Sequence, residues 1–255
     1  MGRRLSATSL CGNNLMSICK LCNTEQTLVD SHIFPEFMYN PMYDENHQFK
    51  ILSNKTGEVI KEPKKGIYEK LLCKKCDNEI IGKYEDHAAK IMFGDGKKEI
   101  DIEKTDIGLL IHGVDYTLFK LFQISLLWRA SISTRPEIIK ISLGPHSERM
   151  RNMLYTEDPG EIYEYGVVIY LFPQSSKDMI DLIVPPSLSE KRIEGIRIYR
   201  AIFNGLFWTY FVSSHSKNYP FQEHFLSKDG TLPIINSGKY GEQYVFKLAK
   251  EFLKK

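Results

Sequence analysis

The feature that most constrains this chain is a pair of Cys-x-x-Cys turns, Cys19/Cys22 in "CKLC" and Cys73/Cys76 in "CKKC". Thiolates hold zinc tetrahedrally, and each such turn offers two sulfurs to one ion, so two turns complete a ligand set. The chain between them must then fold so that sulfurs about fifty residues apart meet. The spacing predicts structural zinc on Cys19, Cys22, Cys73 and Cys76. A plain alternative is buried thiols with one pair incidental. A redox dithiol is disfavoured, because the first pair does not open a helix after a thioredoxin-like strand. Cys11 is left over, and an odd count without a secretory signal argues against a disulfide framework.

Of the 255 residues, 42% are hydrophobic and 26% charged, which predicts a folded chain of one or two domains. The net charge of +2 is too small for a global attraction to nucleic acid, so any such contact must be a local patch. The opening "MGRRLSATSLCGNNLMSICK" lacks the apolar centre of a signal peptide. It fits a loose myristoylation pattern, but a flexible leader over 1–16 is the plainer reading. The longest uncharged run, Ala201–Ser216, is too short and too polar for a membrane span and reads as a buried core element. The expectation is a soluble, cytoplasmic protein with no membrane partner.

Residues 17–99 are lysine-rich and turn-rich, whereas 100–255 carry no cysteine, both tryptophans and most strong apolar runs. "SICKLCNTEQTLVDSHIFPEF" reads as a metal knuckle, a short strand and a turn into an extended segment, with Pro35 biasing Phe34 towards extended geometry. "KILSNKTGEVIKEPKKG" reads as a hairpin turning near Asn54, Lys55 and Gly57. "CDNEIIGKYEDHAAKIMFG" reads as a helix, since Ile80, Ile81, Tyr84, Ala88 and Ile91 recur at helical spacing. Further on, "DYTLFKLFQISLLWRASIS" predicts a mostly buried helix and "SERMRNMLY" a shorter one. "YGVVIYLFP" and "MIDLIVPP" read as strands ended by proline. "RIYRAIFNGLFWTYFVS" fits a buried strand or a buried helix, and "GEQYVFKLAKEFLKK" an amphipathic C-terminal helix with Tyr244, Leu248 and Phe252 on its apolar face.

The order of these motifs resembles the HNH endonuclease superfamily, in its zinc-bearing four-cysteine subset. The resemblance covers about residues 17–90 and rests on "VDSHIFPEF" and "LLCKKCDNE". It implies an α+β chain, in which a zinc-braced ββα-metal module precedes a mixed α/β accessory domain. It implies that His32 is the general base, that Ser31 stands where the family often has a metal-binding aspartate, and that Asp77 replaces the closing metal-ligand histidine. Asp77 would hold a catalytic Mg or Mn ion, for which a carboxylate is a competent ligand. The family's middle asparagine, which orients the histidine, is missing from "GIYEKLLC", so another group must take over that task. Asp30 is a nearby candidate helper. The implied activity is metal-dependent hydrolysis of phosphodiester bonds in DNA, with RNA second. The implied setting is bacterial phage defence or mobile elements.

Other candidates stay open. "KEPKKGIYEKLLCKK" carries six lysines against two glutamates, so Lys64, Lys65, Lys74 and Lys75 either contact phosphates or form a solvated face. Glu85 lies about two helical turns beyond Asp77 and is a candidate distant ligand. His112, His146, His215 and His224 are scattered and read as ordinary, and His47 has no evident role. Residues 100–255 show no catalytic motif and read as a protein-partner or substrate-sensing domain. The rival to a nuclease is a non-catalytic zinc module that binds nucleic acid or protein.

Overall fold

A computed structural model describes residues 16–52, 59–94, 100–171, 182–215 and 221–238. The chain is a mixed α/β protein. Strand β1 (Met16–Ile18) pairs antiparallel with β2 (Glu25–His32), so the chain is already ordered at the end of the expected leader. After His32 the chain turns into a short helix α1 (Glu36–Tyr39). The expected extended segment is therefore helical: Pro35, at φ −54° and ψ 147°, caps this helix at its N-terminal end instead of prolonging the strand.

Strands β3 (Ile51–Leu52) and β4 (Val59–Lys61) form the expected antiparallel pair, although its turn residues lie outside the described residues. Strand β5 (Tyr68–Cys73) then returns alongside β2, with His32 opposite Tyr68 and Leu28 opposite Cys73. The chain leaves β5 through a π-helical segment, Lys75–Ile81, that runs into helix α2 (Gly82–Phe93).

The remainder builds a seven-stranded sheet. Its strands are β6 (Ile102–Thr105) and β7 (Gly108–Ile111), then, after helices α3 (Tyr116–Ile132) and α4 (Pro145–Thr156), β8 (Val167–Leu171), β9 (Ile183–Leu188), β10 (Arg197–Phe203), β11 (Leu206–Val212) and β12 (Leu232–Asn236). The spatial order is β6-β7-β12-β8-β11-β10-β9. The run left between strand and helix is a hairpin, β10 against β11, with Phe203 opposite Leu206. Its two-residue turn is Asn204-Gly205, both at positive φ (50° and 75°), the strand-matching turn that Asn-Gly favours. Strand β9 continues through Pro185 and Pro186 to Leu188. It tolerates them because it lies at the sheet edge, where missing N–H donors go unused. The expected C-terminal helix lies outside the described residues.

Helix α3 starts at Asp115, whose carboxylate accepts the Leu118 N–H at 2.9 Å. Every residue from Phe119 to Ala130 is buried, as expected of a strongly apolar helix, and Lys120, Gln123, Ser125 and Arg129 are buried with the rest. One flank meets the N-terminal part through Phe122 against Phe37, and the other meets the sheet through Phe119 and Phe122 against Trp208. One hydrophobic cluster thus runs from Cys19 to Ile234 through both parts of the chain.

Candidate metal centre and histidine site

Residues at both ends of the β2–β5 ribbon gather functional side chains. At one end, the ligand sulfurs of Cys19, Cys22, Cys73 and Cys76 all lie within 4.8 Å of one another. A tetrahedron of Zn–S bonds near 2.3 Å has edges of about 3.8 Å, so the cluster is of the right size for one such ion. The backbone closes the first turn around it. Asn23 N–H donates to the Cys19 carbonyl at 2.9 Å, with Asn23 at φ 57°, and Cys73 N–H donates to the Cys19 sulfur at 3.3 Å. No disulfide joins these cysteines.

The electrostatics also fit a cation. Burial pushes the Cys19 and Cys76 thiols up. At Cys22 burial works in the same direction, but Thr24 and the neighbouring cysteines outweigh it and bring the thiol down to about 7. A dication that draws all four thiolates together supplies the missing counter-charge, as zinc does in four-cysteine sites.

At the other end, His32 closes β2. Its Nε2 lies 2.9 Å from Glu36 Oε2, a residue one helical turn on, in an ion-pair contact out of hydrogen-bond alignment. Glu36 is itself held: Gly66 N–H donates to Oε2 at 3.2 Å, and the Tyr43 hydroxyl donates to Oε1. Gly66 must be glycine for this approach, because a Cβ there would sit 2.5 Å from the Tyr39 ring. The imidazole Nδ1 has no hydrogen-bond partner among the described residues, so one ring nitrogen has a carboxylate and the other is unengaged.

Asp77 lies in the π-helical segment, where Gly82 N–H reaches back to its carbonyl. Such wide turns interrupt regular helices and are frequent at functional sites. Its carboxyl is pushed up by burial and pulled back by the Ser31 hydroxyl, by Arg129 and by His32. Ser31 is fully buried, and its contact with Asp77 stabilises the carboxylate without completing a well-formed hydrogen bond. Asp77, distant from Ser31 and His32 in sequence, is thus brought beside them.

Two members of this site carried no such expectation. Glu36 had no assigned role. Arg129, 1% exposed, comes from α3: its Nη1 donates to the His32 carbonyl at 2.8 Å and lies 2.6 Å from Glu85 Oε1. Burial raises the Glu85 carboxyl, Arg129 lowers it and Asp77 raises it, so the two carboxylates share one electrostatic environment. Arg129 thus holds the backbone at the histidine. A local motif search misses it because it comes from another helix. Asp30 is absent from the cluster: it is exposed and pairs with Lys70 at 3.3 Å.

Comparison with family models, curated proteins and solved structures finds no match. What the site can do is therefore read from its side chains. A histidine with one free nitrogen, a partly buried carboxylate across from it and an arginine behind both can take a proton and hold a cation near an anionic substrate. The four lysines are exposed and fall into two groups. Lys64 and Lys65 precede Gly66, at the His32 end, while Lys74 and Lys75 follow Cys73, at the cysteine end. His87 is structural, since its Nε2 accepts the Asp115 N–H at 3.1 Å. No helix among the described residues is long and apolar enough to cross a membrane.

Proposed function

We propose that the protein is a divalent-cation-dependent endonuclease that hydrolyses phosphodiester bonds in DNA, with the His32–Asp77 cluster as its active site. The observation that carries this reading is the setting of His32, held at one nitrogen by Glu36 and at its carbonyl by Arg129, with the other nitrogen open. Two antiparallel strands followed by a helix support it, since this is the order the HNH resemblance implies. A Mg or Mn ion, when bound, would stabilise the charge that builds on the phosphate and the leaving oxygen.

Asp77 is the carboxylate suited to hold that ion, because Arg129 already neutralises Glu85. His32 Nδ1 takes a proton from the attacking water as its oxygen bonds to phosphorus. The 3′-side oxygen leaves and is protonated by solvent. Glu36 stabilises the imidazolium that forms, and Arg129 keeps the strand end from moving during the transfer. The cysteine cluster takes no part in the chemistry and fixes β5 and its following helix against β2.

One observation favours a second reading, a non-catalytic module: Arg129 occupies Glu85, one of the two carboxylates that would otherwise share a cation. Cleavage of plasmid, single-stranded DNA and RNA with added Mg or Mn separates the two. Wild-type protein should cut DNA, and His32→Ala should cut about 10²–10⁴ times more slowly, the usual cost of removing a positioned base. Metal content and melting temperature should stay unchanged. Failure of the wild type to cut any of these substrates favours the binding module.

A further inference from the structure

Two of the histidines that look scattered in sequence meet at a cavity of about 660 Å³ in the second part of the chain. It opens between the start of α4, the turn before β10 and the end of β11, where His146, Arg192, Arg197 and His215 share its wall with a single carboxylate, Glu194. The volume lies in the range of small-molecule sites.

The arginines set this cavity apart. Arg129, Arg135, Arg149 and Arg151 each pair with a glutamate. Arg200 lies over the Phe207 ring. Among the described residues, Arg192 and Arg197, by contrast, have no ion pair. Arg192 donates to the Gly195 carbonyl at 3.2 Å, and Arg197 donates to the Ser142 carbonyl at 3.5 Å and interacts with the Tyr199 hydroxyl. Both are exposed, and most of their planar donors remain uncommitted. His146 spends Nδ1 on the Tyr165 hydroxyl at 3.0 Å, which leaves Nε2. Burial lowers the His146 pKa, and His215, Arg197 and Arg149 lower it further, so cations gather around it, and of the two arginines Arg149 has a carboxylate partner, Glu164. Leu143, Ile196 and Val212 add an apolar wall.

We infer that this cavity binds a phosphate-bearing small molecule of nucleotide size. Two guanidinium forks and two imidazoles offer more donors than one carboxylate can accept, whereas a diphosphate has the oxygens and the charge to engage them. The apolar wall suits the nucleoside portion. The site is separate from the His32 cluster and does not depend on the nuclease reading.

Calorimetric titration of the full-length, metal-loaded protein with ADP, and separately with pyrophosphate, tests this at low salt. ADP should bind with a dissociation constant on the order of 0.1 mM. It should bind more tightly than pyrophosphate. The double variant Arg192→Gln/Arg197→Gln should weaken ADP binding at least about tenfold, and His215→Ala by less. His32→Ala should bind as wild type does. Thermal melts would verify that the variants fold, as expected for exposed side chains. Absence of ADP binding at several millimolar, or equal affinity in the folded double variant, overturns the site. Equal affinities for pyrophosphate and ADP overturn the nucleotide-sized ligand.

Discussion

The two ends of the β2–β5 ribbon are built on different principles. At the cysteine end every donor comes from the 19–76 stretch, and from the second part Arg151 Nη1 donates to the Leu21 carbonyl at 2.5 Å. At the histidine end the decisive brace, Arg129, comes from α3, 97 residues after His32. Nearby, Glu69 on β5 accepts the Ser133 hydroxyl at 2.8 Å, the Thr134 N–H at 2.9 Å and the Thr134 hydroxyl at 2.6 Å. A metal can organise its own ligands, because its bond energy orders the turns that carry them. A lone histidine side chain has no such organiser and must be held by packing against other elements.

The largest expected effect tests the self-sufficient end. Cys73→Ser should release the metal and unfold the N-terminal part, since structural zinc supplies roughly 10–16 kcal/mol in small metal-dependent domains. Metal analysis and loss of amide-exchange protection in β2 and β5 would report it. Metal-free wild-type protein that keeps this protection would break the comparison, because the shared core would then suffice.

Next comes the braced end. Arg129→Met should cost about 3–5 kcal/mol, because it leaves Glu85 buried without its partner. Adding Glu85→Gln should recover much of that stability in denaturant melts but should not restore cleavage, since the His32 carbonyl still lacks its donor. Recovery of both would reduce Arg129 to a charge partner.

A smaller effect is expected at Glu69. Burial raises its pKa, but the hydroxyls and N–H of Thr134 and Ser133 outweigh that and hold it below the usual carboxylate value. A depressed folded pKa means that the unfolded chain binds the proton more readily. The contribution to stability is then present above the unfolded pKa near 4.5 and is lost as pH falls through the lower folded value. Glu69→Gln should cost roughly 1.5–3 kcal/mol at pH 7, the usual worth of hydrogen bonds to a charged group. The gap to wild type should close in melts at pH 3. A gap that persists at low pH would assign the loss to packing.

The smallest effect concerns the lysines. Lys64→Gln/Lys65→Gln, at the histidine end, should lower the salt dependence of DNA binding by roughly 0.9 per lost phosphate contact. Lys74→Gln/Lys75→Gln, at the cysteine end, should change it less. Equal slopes for the two pairs would mean that DNA does not favour the histidine end.

Much of the scaffold was legible because its signals are short-range. The cysteine quartet follows from ligand chemistry and spacing. Helix α3 follows from a strongly apolar run, and α2 from a three- and four-residue repeat. The β10–β11 hairpin was legible as well, in Asn204-Gly205, but the apolar residues on both sides masked it: a strand buried on both faces loses its alternation. The helix after Pro35 was obscured because proline suits an extended segment and a helix start equally well.

The sequence by itself determined that four thiols would meet, that His32 would follow the first turn closely, and that a strongly apolar helix would cross the core. These depend on bond geometry and on residues near one another in the chain. Only the tertiary structure decided what holds His32. Glu36 became its partner because α1 turns back after Pro35, and Arg129 its brace because α3 is buried between the ribbon and the sheet. The same holds for the cationic cavity, where His146 and His215, ordinary when read singly, share a wall only once the start of α4 and the end of β11 come to line one cavity. Residue type sets what a side chain can do, but packing fixes which partners come within the few ångströms over which hydrogen bonds act.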